Sequence, residues 1–206
     1  SGSWRATWAG EGGGVLINQC PHQLDLMQWF FGMPNKITAS VFFGKYHDIE
    51  VEDEVSAIFE YPDGKTAMFV TSTGEAPGTN RLEIAAERGK VILENGEIYF
   101  YRNETEMSDF CKNSEVMMAM PTVWDIKVPV GTLNYPSHRD IIENFADAIS
   151  NGTALYAPAV EGINSLELAN AMLMSGTLQH SVELPIDSAK FDDILNNFIK
   201  NSAKKG

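Results

Sequence analysis

Three polar residues near the start of the chain, Asn18, His22 and Asp25, are spaced at intervals of four and three. A glycine run precedes them, and backbone without Cβ atoms can turn sharply or approach a ligand closely. Pro21 favours the first turn of a helix, so His22 and Asp25 are expected on one helix face. An imidazole with a carboxylate one turn away is a common general acid/base, and Asn18 and Asp25 could fix its tautomer. Histidine at a helix start also serves as a cap or a core residue, and the local pattern leaves both interpretations open.

Five further residues are candidates for contacts with a substrate. The loop at the start of the chain carries Trp4, Arg5 and Trp8, an aromatic and basic set. Such residues either pack a surface loop or form an arm that faces substrate, because arginine and tryptophan are enriched at binding sites. Tyr135 and His138 precede a predicted helix and are candidates to line the pocket.

Metal and disulfide chemistry have weaker signals. A metal site built from His22, Asp25 and His138 is conceivable, but HxxD spacing alone is a weak pattern, and no metal is predicted. The two cysteines, Cys20 and Cys111, form no CxxC motif. We therefore expect no disulfide framework, a reduced compartment and a buried, unreactive Cys20.

The composition excludes several classes of function. The 206 residues carry a net charge of −13, which argues against nucleic-acid binding and against an anionic membrane surface. No apolar run approaches the roughly 18 residues that a membrane-spanning helix needs. The first residues lack a charged and then apolar signal pattern, so a cytoplasmic location is predicted.

The periodicity predicts one helix, then a series of strands, then helices, which is the α+β order. Turn residues at Asp63-Gly64 and Asn95-Gly96 indicate two hairpins within an antiparallel meander of five or six strands. The predicted helices cover 21–32, 136–152, 161–180 and 187–200, with a possible short helix in 103–122; the predicted strands cover 36–46, 54–61, 65–72, 79–87, 90–93 and 97–101, with a possible further strand at 126–130. One domain over 1–206 is the simplest organisation.

The segment from Trp4 to Phe31 closely resembles the substrate-domain motif of the glucose–fructose oxidoreductase/inositol dehydrogenase/MocA family. The family pattern is GGG-x-x-x-D/N-x-x-x-H-x-x-D, and the chain has Gly12-Gly13-Gly14, Asn18, His22 and Asp25 at those places. The stretches 138–152 and 161–172 are similar to the closing helices of the family.

The resemblance implies a two-domain dehydrogenase dependent on NAD or NADP, which acts on a sugar, polyol or related carbinol. It also implies an open-faced, predominantly antiparallel sheet with helices packed on one face, and a homo-oligomer formed through the uncovered sheet face. By position, His22 matches the general acid/base at the carbinol oxygen. Asn18 matches a residue, often Asp in the family, that assists it or contacts substrate, and Asp25 matches a supporting acid.

Two family features are missing from the chain. The glycines at 10–14 follow no predicted strand and lack GxGxxG spacing, so they are not a dinucleotide fingerprint. No Glu-Lys-Pro segment supplies the second catalytic residue of the family, a lysine. We therefore expect an N-terminal Rossmann domain outside this chain to bind the cofactor, and the isolated chain to be inactive. The alternatives are a non-enzymatic sugar-binding or assembly module and a metal-dependent sugar isomerase or hydrolase.

Overall fold

The computed structural model describes residues 4–130 and 138–202. They separate into two compact units, of which the first contains 4–75 with 144–202 and the second contains 76–130 with 138–143. The helices and strands, in chain order, are α1 (Val15–Asn18), α2 (Pro21–Phe31), β1 (Lys36–Phe43), β2 (Glu52–Glu60), β3 (Thr66–Ser72), β4 (Arg81–Ala86), β5 (Gly89–Glu94), β6 (Glu97–Asn103), α3 (Met107–Asn113), β7 (Val123–Val128), α4 (His138–Asn151), a 3-10 turn (Ala159–Glu161), α5 (Gly162–Leu178), β8 (Val182–Glu183) and α6 (Ser188–Asn201). The assignment of 1–206 to one functional domain stays a prediction.

The first unit is built on a four-stranded antiparallel sheet in the order β3-β2-β1-β8. Along β2, the side chains of Val55, Ala57 and Phe59 are buried, while Ser56 and Ile58 between them are exposed. This alternation is typical of an antiparallel strand that covers a core with one face only. The sequence pattern therefore determines which face of the sheet the helices cover.

Helix α5 lies against β1, and α2 lies against α5. The centre of α5 is buried, and Gly176 allows the approach, because a Cβ there would lie 2.4 Å from Cγ2 of Val41. The hydroxyl of Ser175 accepts a hydrogen bond from the Ala39 N–H at 2.9 Å and donates one to the His180 carbonyl at 2.7 Å. Polar and apolar contacts together hold α5 on the sheet, and α5 in turn supports α2.

The opposite face of this sheet carries exposed apolar side chains. Its exposed apolar side chains lie in neighbouring positions, since Ile58 pairs with Met68 and Val70 pairs with Ser56. Phe42 extends the same face on β1. The predicted arrangement of an open-faced sheet with helices on one side is therefore confirmed for this unit.

The second unit contains a separate four-stranded antiparallel sheet in the order β4-β5-β6-β7. The predicted hairpin turn is present, with positive φ at Asn95 (52°) and Gly96 (75°). The sequence predicted a single meander, whereas the structure has two sheets. The physical reason lies in residues 73–80, where Gly74, Pro77 and Gly78 interrupt strand pairing, since proline lacks the N–H that a ladder needs.

The α+β class and the type of almost every predicted element are confirmed. Asp187 caps the last helix, because its carboxylate accepts hydrogen bonds from the N–H groups of Ala189 and Lys190. The short helix α1 was not predicted. Among the described helices, none combines the length and the hydropathy that crossing a bilayer requires.

Candidate active site

The glycine run brings the chain against the first residues of β2. Gly12 has φ +78°, in the region that favours glycine, and turns the chain before α1. A Cβ on Gly14 would lie 2.1 Å from the Glu52 carbonyl oxygen and 2.9 Å from Cγ2 of Val51. The backbone of the run therefore packs directly on β2, at a distance that only glycine permits.

The side chain of Glu52, on β2, holds the start of α1 by hydrogen bonds. Its Oε1 accepts hydrogen bonds from the N–H groups of Gly14 at 2.8 Å and Leu16 at 3.2 Å. Because Gly14 has no side chain, Glu52 supplies the acceptor that an N-cap residue usually provides. The residue is 2% exposed, and its Oε2 has no hydrogen-bond partner among the described residues.

The pKa values of the two adjacent buried acids, Glu52 and Asp53, are shifted in opposite directions. Burial raises the pKa of the Glu52 carboxyl, and its hydrogen bonds with backbone N–H groups oppose the rise. Burial would also raise the pKa of Asp53, but donors from the loop 45–47 outweigh it and hold that pKa below its usual value. The N–H groups of Lys45 and Tyr46 lie 2.9 and 2.8 Å from the Asp53 carboxylate oxygens.

Helix α2 presents His22 one residue after its first position. Cys20 is the N-cap residue and Pro21 the first helical residue, as the sequence predicted. Leu24 and Met27 are buried under the helix, while the His22 side chain is exposed. Neither nitrogen of its ring has a hydrogen-bond partner among the residues that the structure describes. The ring is therefore open to a ligand at the N-terminal end of α2.

Asn18 and Asp25 both have partners other than His22. The amide nitrogen of Asn18 donates a hydrogen bond to Glu11, whose other oxygen accepts from the Ala6 N–H at 2.7 Å. Asp25 accepts a hydrogen bond from Gln28 at 2.9 Å. The expected hydrogen bonds from these two residues to the imidazole are therefore not made in this structure, because each side chain is taken up by a nearer partner.

The structure divides the aromatic arm into exposed and buried parts. Trp4 is exposed, and the guanidinium of Arg5 lies 5.4 Å from the centre of its ring. Trp8 is 5% exposed: its indole stacks on Phe198 at 4.4 Å, and its N–H donates to the Glu50 carbonyl at 2.8 Å. The prediction that Trp8 contacts substrate is therefore corrected. Packing and a satisfied N–H account for this residue.

The remaining candidates lie elsewhere. His138 is exposed at the first position of α4, and Tyr135 lies outside the described residues. Over residues 4–130 and 138–202, no three His, Cys, Asp or Glu side chains are grouped so that they could hold a metal ion. Cys20 and Cys111 are free thiols, and burial raises the pKa of Cys20. A shallow cavity of about 290 Å³ beside Trp8 is lined by aromatic rings, Glu50 and Asn201.

Sequence reasoning missed three polar residues that hold the site. The sequence pattern assigned no role in the site to Glu52 or Glu11. Gln28 bridges α2 and α5, since it donates to Asp25 and accepts from Asn164 at 3.2 Å. The adjacent acids at the start of a strand were the available signal for Glu52, because an acid in a half-buried strand needs a partner.

Comparison with known proteins found a family model that matches the first part of the chain. Residues 1–92 match the family model described as the GFO/IDH/MocA C-terminal domain. No protein of curated function matches the chain in sequence.

Several solved structures share the fold of the chain. An NAD-binding protein from Listeria innocua has a TM-score of 0.67 and 20% identity, over 89% of this chain and 51% of that one. The aldose-aldose oxidoreductase from Caulobacter crescentus, complexed with glycerol, has a TM-score of 0.64 and 18% identity, over 88% and 50%. The WlbA dehydrogenase from Bordetella pertussis, in complex with NADH and UDP-GlcNAcA, has a TM-score of 0.60 and 19% identity, over 91% and 50%.

The chain thus spans about half the length of these structures. At such identities the likeness concerns the fold, whereas the family match rests on the sequence itself. That match covers the glycine run, α2 and the strands up to β5. It confirms the resemblance drawn from the sequence for residues 1–92, which are similar to the C-terminal domain of the GFO/IDH/MocA family.

Proposed function

We propose that this chain is the substrate-side domain of an oxidoreductase that transfers hydride between NAD or NADP and a sugar, polyol or related carbinol. The observation that carries the proposal is the exposed ring of His22, which has no hydrogen-bond partner among the described residues and is presented by α2, the helix that follows the glycine run and α1. The family match, which covers this segment, supports the same role. The identity of the substrate class rests on the resemblance and on the bound molecules named for two of the solved structures.

The chemistry assigned to His22 is proton transfer at the carbinol oxygen. A nicotinamide, when bound, accepts the hydrogen of the carbinol carbon together with the electron pair of the C–H bond. One ring nitrogen of His22 takes the hydroxyl proton as the C=O bond forms, and returns it in the reverse direction. A positioned base of this kind contributes about 10²–10⁴-fold to the rate.

Asn18 and Asp25 are assigned supporting roles around this ring. Because Glu11 holds the Asn18 amide by its nitrogen, the amide oxygen can accept a hydrogen bond from a substrate hydroxyl. Asp25 lies one turn after His22 on the same helix and is the supporting acid of the proposal. Trp4 and Arg5, both exposed, are the arm residues that remain candidates for substrate contacts. His138 and Tyr135 stay predictions.

The cofactor is assigned to a partner domain. Both sheets are antiparallel throughout the described ranges, and a dinucleotide fold requires parallel strands joined by a crossover helix. The described residues therefore fit the reacting end of a nicotinamide, through His22, and do not provide a cradle for its phosphates. The helix layer also exposes apolar side chains, with Trp29 71% and Ile163 60% exposed, which a Rossmann domain would cover.

A second copy of the chain is the proposed partner of the open sheet. Phe42, Ile58, Met68 and Val70 form a patch on the face opposite the helices, and burial of such a face is favourable. A two-fold dimer brings the same patch together from both chains, so one surface serves both partners.

The experiment is an activity assay on the full-length protein that contains this chain. Reduction of NAD⁺ and NADP⁺ is followed by absorbance with a panel of sugars and polyols, for the wild type and His22→Ala. We expect turnover with at least one polyol, at a rate that falls at least 100-fold in the variant. Micromolar binding of a sugar without turnover would favour a binding module, and an unchanged rate in the variant would remove His22 from the reaction.

A further inference from the structure

We infer that Glu52 is a positioning residue for His22, and that it acts through the segment 14–20 together with the contact between Cys20 and Thr71. Glu52 has no direct contact with the imidazole of His22 and acts on it through the backbone. The inference rests on the proposed function for its catalytic consequence, whereas the structural claim stands on contacts within the first unit.

The first anchor lies at the start of the segment. Glu52 Oε1 accepts buried hydrogen bonds from the N–H groups of Gly14 and Leu16, at 2.8 and 3.2 Å. The carboxyl comes from β2, so the first turn of α1 is tied to a strand of the sheet. The main chain of Gly14 also packs on the Glu52 carbonyl, where a Cβ would lie 2.1 Å away. Two contacts with a single strand residue therefore fix the position of Gly14.

The second anchor lies immediately before His22. The Cys20 Sγ lies 3.1 Å from the Thr71 hydroxyl on β3, the neighbour of β2 in the sheet. Cys20 is the N-cap of α2, and its carbonyl accepts the hydrogen bond of Leu24 N–H at 3.0 Å. The residue that starts the His22 helix is thus attached to a second strand.

Backbone hydrogen bonds connect the two anchors. The Asn18 N–H donates to the Gly14 carbonyl at 3.0 Å, and the Cys20 N–H donates to the Val15 carbonyl at 3.1 Å. The segment is therefore a closed turn held at both ends, with His22 two residues beyond the second anchor. We expect a displacement at Glu52 to reach the imidazole through this turn, because backbone hydrogen bonds connect its two ends.

Two features of Glu52 favour the use of an acceptor here over the use of a negative charge. Its Oε2 makes no hydrogen bond to a described residue, and burial raises the pKa of the carboxyl, which favours the neutral acid. Glutamine has the same shape as the neutral acid and keeps the carbonyl oxygen. Glu52→Gln should therefore preserve the anchor, and Glu52→Leu should remove it.

The test compares Glu52→Leu, Glu52→Gln and Glu54→Leu in the full-length protein. Glu54 is an acid on the same strand whose carboxylate pairs with Lys45 at the surface. We expect Glu52→Leu to lower kcat by about 10²-fold at nearly constant KM, since misplacement by about an ångström costs that much. Glu52→Gln should restore kcat to within a few-fold of the wild type, and Glu54→Leu should retain it. A folded Glu52→Leu with unchanged kcat, or a Glu52→Gln equally impaired, would overturn the inference.

A second readout does not depend on turnover. Hydrogen exchange measured by NMR should show protected amides at Gly14 and Leu16 in the wild type, and the His22 ring signals should shift in Glu52→Leu but not in Glu54→Leu. Unprotected amides in the wild type would contradict the anchor even if Glu52→Leu fails to fold. If the wild type has no activity, or if His22→Ala has wild-type activity, the proposed function fails. The hydrogen-exchange and ring signals would still show whether Glu52 positions His22.

Discussion

Gly14→Ala tests the claim that the glycine run exists to let the chain pack on β2. The added Cβ would lie 2.1 Å from the Glu52 carbonyl oxygen and 2.9 Å from Cγ2 of Val51, whereas ordinary van der Waals contacts start at 3.4 Å. The oxygen belongs to a paired strand, so it cannot turn away as a flexible side chain would. The two stretches of backbone therefore have to separate by roughly an ångström.

The expected cost follows from two contributions. Overpacking of a filled site typically costs about 1–3 kcal/mol. Separation of the backbones also weakens the buried hydrogen bond from the Gly14 N–H to Glu52, and a buried polar group without a partner costs about 1–3 kcal/mol. We therefore expect a loss of about 2–6 kcal/mol, which is a large part of the roughly 5–15 kcal/mol that stabilises a typical domain.

The assay is urea unfolding followed by tryptophan fluorescence. Of the four tryptophans, Trp8 is the buried one, so the wavelength of the emission reports on the first unit. Gly162→Ala is the matched control, because a Cβ at that helix position meets no atom within 4 Å. Its stability should stay within about 1 kcal/mol of the wild type. A Gly14→Ala variant that unfolds at the same urea concentration as Gly162→Ala would refute the close-packing argument.

Three other predictions concern titration, thiol reactivity and assembly. Because the pKa of Glu52 is raised in the folded state, its carboxyl stabilises the fold fully below the ordinary value of 4.5, and this contribution is lost as the pH rises through the raised pKa. The unfolding free energy of the wild type, measured relative to that of Glu52→Gln, should therefore fall as the pH rises. A difference that stays constant with pH would contradict the raised pKa. An aromatic disulfide reagent should modify exposed Cys111 and spare buried Cys20 in the folded protein; equal rates would argue against the burial. Ile58→Lys should convert a dimer to a monomer in sedimentation, while Asn196→Lys on the exposed side of α6 should not; a monomeric wild type at tens of micromolar would contradict the dimer.

The fold was predictable where its determinants are local. Asp63-Gly64 and Asn95-Gly96 supply the positive φ that tight turns need, and the structure has positive φ at Gly64, Asn95 and Gly96. The boundaries of α2 follow from Pro21 and from Gly32, whose φ is +74°. The division into two sheets was not predicted: Gly74, Pro77 and Gly78 mark the break in the sequence, but the strand patterns do not encode which strands pair. β8, for example, pairs with β1 from the far end of the chain.

The same distinction applies to the site. The pattern that indicates His22 lies within fourteen residues, from Gly12 to Asp25, so it can be recognised in the sequence. Glu52 is 38 residues away from Gly14, and no local signal joins them. The sequence made Trp8 a candidate for substrate contact, because its stacking on Phe198, at the other end of the chain, cannot be read from local residues. Long-range packing therefore accounts both for the missed residue and for the corrected one.

The measurement that tests the central claim most directly is the separation of kcat from KM for His22→Asn in the full-length protein. His180→Asn serves as the control, because His180 is an exposed histidine at the end of α5. A positioned base predicts that kcat falls by about 10²–10⁴-fold in His22→Asn while the KM values for cofactor and polyol change little. Wild-type kcat in His22→Asn, or a loss no larger than in His180→Asn, would contradict the account.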